Sequence, residues 1–582
     1  MKKRAFLFLA VATVLLAVSC KAAALKQTTQ QTAEDYQAKE LEYSNNGDYD
    51  RLDDEQAMSG PAETLLDRGI LFATRGNFEL AIADFSDVIK QNPHLSEAYI
   101  LRGRALYASV SDVINIAEKF ERVGVHFQAS RQLRESQKLA YDRAIADFTE
   151  AIRLDEHNAV AYSDRGDAYS QKGDLDKAIA DYNQAIKLNP QYAWAYNDRG
   201  NAYHFKGDTD KAIEDYTQAI RHDPQFSYPY YNRGNKYLDR NDYDRAIADF
   251  MQAIRLDPNY ANAYTSRGNA YYYKESYDRA IADYTQAIML DPDDDYAYSS
   301  RGDAYYYKGD YDRAIADFTQ AIKLNPNYAE AYTKRGDAYY YKKDYDHAIA
   351  DFTQAIKLNP NYAYAYYSRG LAYRYKEDYD RAIADYTQAI MLNSNYADAY
   401  YSRGLAYHYK KDYDRAIADY TQAIMLNSNY ADAYYNRGLA YHYKKDYDRA
   451  IADYTQAIKL NPNDDYAYIN RGDAYYHKGD YDRAISNYTQ VIQLDPYDDY
   501  AYTKRGHAYN NKGDYDRAIA DFMQVIRNNP DSARAYTNRG DAYYNKGDYD
   551  RAIADFTQAI QLDPNYAYPR IKLVNTRRVK GR

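Results

Sequence analysis

The sequence predicts an all-α solenoid of about 14 stacked helical hairpins, and three observations carry that prediction. A glycine recurs every 34 residues, at Gly166, Gly200, Gly234, Gly268, Gly302, Gly336, Gly370, Gly404, Gly438, Gly472, Gly506 and Gly540. A fixed period of this length marks a repeat array, which grows by stacking and not by enlarging one core. Within each unit, small and aromatic residues fall on two separate helical stripes. The stripes are separated by a turn such as Gly-Asp-Tyr-Asp at 309–312, where the glycine gives flexibility and the aspartate a cap for the next helix.

Taken in order, the chain opens with Lys2, Lys3 and Arg4 and an apolar run at 5–18. That run is too short to span a bilayer comfortably and reads as an export signal, with residues 1–19 as the signal peptide. The stretch Ala17-Val18-Ser19-Cys20 resembles the lipobox of bacterial lipoproteins, although Ala17 stands where that motif usually has Leu. The resemblance implies that Cys20 becomes the lipid-modified first residue of the mature chain and anchors it to a membrane. The alternative is an ordinary signal peptide, with cleavage after Ala22 or Ala24 removing Cys20. Residues 20–61 are polar and read as a tether. Tyr36, Gly47 and Arg51 keep part of the repeat register there, as a decayed capping repeat would.

The array occupies 62–566, with units starting at 62, 96, 159, 193, 227, 261, 295, 329, 363, 397, 431, 465, 499 and 533. The second unit is split, its glycine at Gly103 and its matching alanine at Ala144, by a 29-residue insertion at about 110–139. Leu106, Val110, Val113, Ile114, Ala117 and Phe120 keep helical spacing, which predicts two lengthened helices turning near Gly124, with a disordered loop as the alternative. Residues 567–582 are basic, and Ile571, Leu573 and Val574 are expected to form the apolar face of a short capping helix.

Counted from each unit's start, the eighth position is Gly and the twentieth Ala throughout, as Gly302 and Ala314, and the 24th is Phe or Tyr. Small residues at the eighth and twentieth positions are expected where two helix axes approach closely. The 32nd position is Pro in 11 units and is expected to end the second helix, so Ser394 and Ser428 mark joints where a hinge is expected. This pattern resembles the tetratricopeptide repeat over about 500 residues. The resemblance implies a right-handed superhelix whose first helices line a concave groove, and a role in binding segments of other proteins.

One departure from the family is informative. The seventh position, usually apolar, is Arg in all 14 units, and the 23rd is Asp in 13 of them. A guanidinium beside the buried stripe needs a partner, so a ladder of ion pairs is expected, with Arg165–Asp181 and Arg403–Asp419 among its rungs. The alternative is that each Arg merely runs along apolar surface to water.

The family's groove positions, carried over residue by residue, give Tyr296, Tyr306, Tyr307, Tyr340 and Tyr341. Further along they give Tyr364, Tyr367, Arg374, Tyr375, Tyr401, Leu405, His408 and Tyr409, then Tyr435, Leu439, His442 and Tyr443. Such an aromatic surface suits extended peptides of basic or apolar character; the competing reading is that many of these rings only stack on neighbouring repeats. No unit has the fifth-position Lys that the family's carboxylate clamp requires. His408 and His442 are equivalent positions of a duplicated unit, and no metal or other cofactor is expected.

Composition narrows the function. The 76 Tyr against one Trp and one Cys reflect the repeat. A net charge of −10 argues against a nucleic-acid partner. A lone Cys leaves no intramolecular disulfide and no Cys-based zinc site. Nothing outside the repeats is large enough for a catalytic domain, and no phosphate-binding loop or nucleophile elbow is present. The expectation is a non-enzymatic, protein-binding scaffold of the bacterial cell envelope. Its alternatives are a carbohydrate or cell-wall binder using the same aromatic groove, and a passive array that sets reach.

Overall fold

The computed structural model describes residues 62–122 and 129–581. The export signal, Cys20, the tether and the expected turn at Gly124 lie outside the described residues. Among the described residues, 29 helices and no strand follow one another. A regular repeat pairs a 13-residue first helix, such as Ala397–Tyr409, with a 14-residue second helix, such as Tyr413–Leu426. The chain divides into two compact units, one ending at Ala331 and the other beginning at Tyr332. Within each unit, helices adjacent in sequence pack together, and the first helices of successive repeats also touch to a degree that the second helices do not. The first helices therefore form the inner layer of each unit.

The core of every repeat is the 24th-position ring. Tyr420 and Phe318 have no solvent exposure; such rings pack against buried alanines, as Tyr386 does against Ala382 and Ala406 and Phe352 against Ala348 and Ala372. A Cβ placed on Gly404 would lie 2.7 Å from Cε1 of Tyr420, and one on Gly302 would lie 2.8 Å from Cε1 of Phe318. The eighth-position glycine thus makes room for the ring of its own second helix, and the expected approach of two helix axes is in fact an approach of backbone to ring.

The turn between helices uses a left-handed residue, Gly309 at φ +78° or Lys411 at φ +62°. The next residue caps the second helix: the Asp412 carboxylate accepts the backbone N–H of Arg415 at 3.3 Å. The end of that helix corrects an expectation. Helices Tyr379–Leu392 and Tyr413–Leu426 stop at the same relative residue as Tyr311–Leu324, although Ser394 and Ser428 replace Pro326. The stop comes from Asn or Asp at the 31st position, whose side chain accepts the N–H two residues on. Asn395 N donates to Asn393 Oδ1 at 3.1 Å, and Asn327 N to Asn325 Oδ1 at 3.2 Å. Proline is an addition to this turn, so its loss leaves the turn geometry unchanged.

At the insertion, helices Ser96–Arg122 and Ala129–Leu154 reach 27 and 26 residues and pack on each other. At the C-terminus, helix Ala567–Lys580 sits in the register of another first helix. Pro569 and Thr576 take the buried places of the third- and tenth-position alanines. The Tyr568 hydroxyl donates to Asp541 at 2.9 Å, Lys572 pairs with Asp541 at 3.0 Å, and Lys580 pairs with Asp550. Ile571 and Val574 are exposed, which corrects their expected role as the packing face: they hold the fifth and eighth positions, which in the other repeats face a second helix, and no further helix is described beyond Lys580. Val574 stands where the other repeats have glycine.

Candidate functional site

The seventh-position arginines are anchored. Arg403 donates from Nε to Asp419 Oδ2 at 2.8 Å and from Nη2 to Oδ1 at 2.7 Å, and its Nη1 reaches Thr387 of the preceding repeat at 3.0 Å. Arg165 and Asp181 make the same fork at 2.8 Å, with Thr149 at 3.2 Å. The fork lies within one repeat and the third bond ties it to its neighbour. Burial raises the Asp419 pKa against the opposing bonds from Arg403, while for Arg403 burial is the largest single influence and pulls downward, but the bonds and charge of Asp419 together with Tyr407 and Tyr400 outweigh it and its pKa also rises. At Arg471 the partner is neutral Asn487, one bond at 2.8 Å remains, and burial lowers the guanidinium pKa. A second inter-repeat tie lies on the surface, where Lys410 pairs with Asp380 and Lys444 with Asp414.

The groove residues separate into two sets. Tyr296, Tyr307, Tyr341, Tyr364, Tyr375, Tyr409 and Tyr443 are exposed. Tyr306, Tyr340, Tyr367, Arg374, Tyr401, Leu405, His408, Tyr435, Leu439 and His442 are half-buried. Of the exposed set, the thirteenth-position rings stack on the seventeenth-position ring of the preceding repeat. Tyr375 lies over Tyr345 with centroids 5.6 Å apart, Tyr409 over Tyr379 at 5.5 Å, Tyr443 over Tyr413 at 5.3 Å and Tyr307 over Tyr277 at 6.0 Å. The twelfth-position rings meet these stacks edge-on, as Tyr306 does with Tyr307 and Tyr340 with Tyr375. Tyr401 packs on Tyr430 and Tyr420. Second-position tyrosines bond to the ninth position of the previous repeat: Tyr296 accepts from Asn269 at 3.3 Å, and Tyr364 donates to Asp337 at 3.0 Å. Each ring therefore joins two repeats while presenting an edge or a face on the inner layer.

Sequence reasoning missed the sixth position. Asn436 donates to the Tyr401 hydroxyl at 3.1 Å, Asn470 to that of Tyr435 at 3.1 Å, and Lys504 to Asp473 at 2.9 Å. The one trace in the sequence is that the sixth position lies one turn beyond the second, on the same helical face, while its partner in the preceding repeat cannot be read from spacing.

In the first unit this network becomes acidic. Arg104 donates to Asp164 at 2.7 Å, the Tyr182 hydroxyl to Asp167 at 2.7 Å, and Asn197 to Asp198 at 2.9 Å. Burial, then Asp198 and Asp164, hold the Asp167 carboxyl well above its usual range. Burial pushes Asp198 up to about 7 against the bond from Asn197. A carboxyl raised from 3.8 in the unfolded chain stabilises the fold fully below that pH, and the contribution is lost as pH rises through about 7. The thermal midpoint by circular dichroism should therefore gain more on acidification from about pH 8 to about pH 5.5 in the wild type than in Asp198→Asn. Equal gains would show that Asp198 does not titrate in this window.

Comparison with known proteins agrees with this architecture. Family models described as TPR repeat match residues 166–207, 234–273, 268–306, 302–342, 336–374, 370–410, 406–445 and 472–513. Models described as tetratricopeptide repeat match 66–112 and 503–567, 193–226 and 431–464, and 215–248 and 453–486. No curated protein sequence matches the chain. Similar solved structures include YrrB, described as a TPR protein with an unusual peptide-binding site, at 28% identity over 34% of this chain and 99% of that one, TM-score 0.30. MamA is 31% identical over 30% of this chain and 94% of its own, TM-score 0.27. The Cut9–Hcn1 hetero-tetramer of the APC/C is 14% identical over 80% and 98%, TM-score 0.32. Helical hairpins at a 34-residue period, each closed on a ring beneath a glycine and matched over most of their length, lead to one conclusion: the chain belongs to the tetratricopeptide repeat family.

Proposed function

We propose that this protein is a lipid-anchored scaffold of the bacterial cell envelope that holds extended peptide segments of partner proteins on its inner first-helix face. Tetratricopeptide repeat proteins bind other proteins or peptides and are generally non-enzymatic scaffolds. The observation that carries the finer reading is the face formed by the repeats starting at 363, 397 and 431. There the exposed rings of Tyr375, Tyr409 and Tyr443 flank half-buried Leu371, Leu405 and Leu439, a surface with apolar contact area and few side chains left to order. An array of unstructured peptides probed with the full chain tests it. Binding to a subset of peptides, weakened when Tyr375, Tyr409 and Tyr443 are together replaced by Ser, supports the reading. Binding that ignores those substitutions removes it.

The anchor rests on the export signal and on Cys20 alone. Cys20→Ser should abolish incorporation of an alkyne-tagged palmitate and move the protein from the membrane to the soluble fraction of fractionated bacteria. Unchanged membrane association of the variant would show that Cys20 is not the anchor.

A further inference from the structure

The same three repeats carry a row of buried polar atoms without hydrogen-bond partners. In four other repeats the 24th-position ring is Tyr and its hydroxyl is served by the ninth position of the same repeat. These pairs are Tyr182–Asp167 at 2.7 Å, Tyr216–Asn201 at 2.8 Å, Tyr284–Asn269 at 2.7 Å and Tyr488–Asp473 at 2.6 Å. In the repeats starting at 363, 397 and 431 the ninth position is Leu; the hydroxyls of Tyr420 and Tyr454 have no partner, and that of Tyr386 has only the Arg374 guanidinium beside it. One turn beyond each Leu stand Arg374, His408 and His442, whose Nε, Nδ1 and Nδ1 are likewise unpartnered. Such atoms are rare in native interiors because each carries its full desolvation penalty. Recurring at one repeat spacing, they are not scattered defects.

Their chemistry has a sign. The inner-face cations Arg104, Lys504 and Lys572 each pair with a carboxylate. Arg374 is different: it lies 4.8 Å from the Tyr375 ring centroid, its neighbours are the phenols of Tyr386, Tyr375 and Tyr340, and it forms no ion pair. The carboxylates on the same face of these two repeats, Asp398 and Asp432, are ten residues before His408 and His442, roughly 15 Å away along the helix; Asp473 of the following repeat does act on His442, but it is taken by the Tyr488 hydroxyl at 2.6 Å and by Lys504 at 2.9 Å. Asp398 is also engaged by the Tyr430 hydroxyl at 2.9 Å.

We propose that Arg374, His408 and His442, backed by the hydroxyls of Tyr386, Tyr420 and Tyr454, form a binding strip for an extended peptide that carries carboxylate side chains. This rests on the peptide-binding reading above and replaces, for these repeats, the basic or apolar ligand expected from the sequence. A ligand carboxylate supplies the charged acceptor that the Arg374 guanidinium, set only among phenols, lacks, and the leucines meet the apolar residues between carboxylates. Touching helices place successive repeats roughly 10 Å apart, and an extended chain covers that distance in about three residues. The matching spacing is therefore an acidic residue at every third position.

The test is fluorescence polarisation of the full chain with a labelled heptapeptide, Glu-Leu-Ser-Glu-Leu-Ser-Glu amide, against its counterpart with Lys in place of Glu. The acidic probe is expected to bind at least about tenfold more tightly than the basic one, and Arg374→Gln to weaken it by about tenfold. In the wild type, the imidazole C2–H resonances of His408 and His442 should shift as the acidic probe is added, a readout that does not depend on a variant folding. Preferential binding of the basic probe, or acidic binding that leaves Arg374→Gln and both histidines unaffected, overturns the proposal while sparing the groove. Failure of both probes, together with a peptide array that yields no binder, overturns the groove reading as well.

Discussion

Arg403→Met is expected to destabilise the second unit by roughly 3 kcal/mol at neutral pH, because it strands Asp419 in a buried setting. The Asp419 side chain is only 8% exposed and takes both strong bonds from Arg403. The variant also loses the tie to Thr387 and hence part of the coupling to the preceding repeat. Two further substitutions separate charge from packing. Adding Asp419→Leu to Arg403→Met should recover most of the loss, since no buried charge then remains. Arg471→Met should cause a smaller loss, because its partner Asn487 is neutral and makes a single bond to it. Urea denaturation with hydrogen exchange resolved by repeat measures all three, and equal losses at Arg403 and Arg471 would reject the ladder as an electrostatic device.

Gly404→Val is the second large effect, a loss of roughly 3 kcal/mol or more in the same urea experiment, from overpacking against a side chain that has nowhere to go. The first added carbon already meets Tyr420 Cε1 at 2.7 Å and Asp419 Cβ at 3.3 Å, and Tyr420 is wholly buried. Improved helix propensity returns only about 0.2–0.4 kcal/mol, because β-branched Val is itself a poor helix former. Gly309→Ala is the contrasting case: nothing lies within 4 Å of its added carbon, and its φ of +78° is the whole difficulty. Lys411 holds φ +62° at the equivalent place, so a loss of about 1 kcal/mol is expected there. A Gly404→Val variant as stable as Gly309→Ala would mean that the ring is not the obstacle.

The features legible in the sequence are those set by the period. Gly404, Ala416 and the 24th-position ring recur so regularly that the hairpin follows from spacing alone, and Arg403 with Asp419 could be paired because an arginine beside a buried stripe demands an acceptor. What was not legible depends on how one repeat lies against the next. The role of Asn436 toward Tyr401 appears only once helix rotation is known, because the sixth position borders the inner face. Ile571 and Val574 are exposed because no further helix is described beyond Lys580 to face their fifth and eighth positions. The joints at Ser394 and Ser428 keep the same turn as the proline-containing ones for a local reason: Asn393 and Asn427 close it with their own side chains, by bonds of 3.1 Å, whether or not proline follows. The orphaned hydroxyl of Tyr420 was hidden because a tyrosine among many tyrosines announces nothing until its missing ninth-position partner, replaced by Leu405, is seen beside it.

The claim that partners are held on the inner first-helix face is tested most directly by photo-crosslinking in the native envelope. Benzoylphenylalanine is placed at Tyr409 on a first helix or at Met425 on a second helix, two positions that are both exposed. Adducts with partner proteins from Tyr409, and none of comparable yield from Met425, are the predicted result. Adducts from Met425 with none from Tyr409 would place the binding surface on the opposite layer and contradict the account.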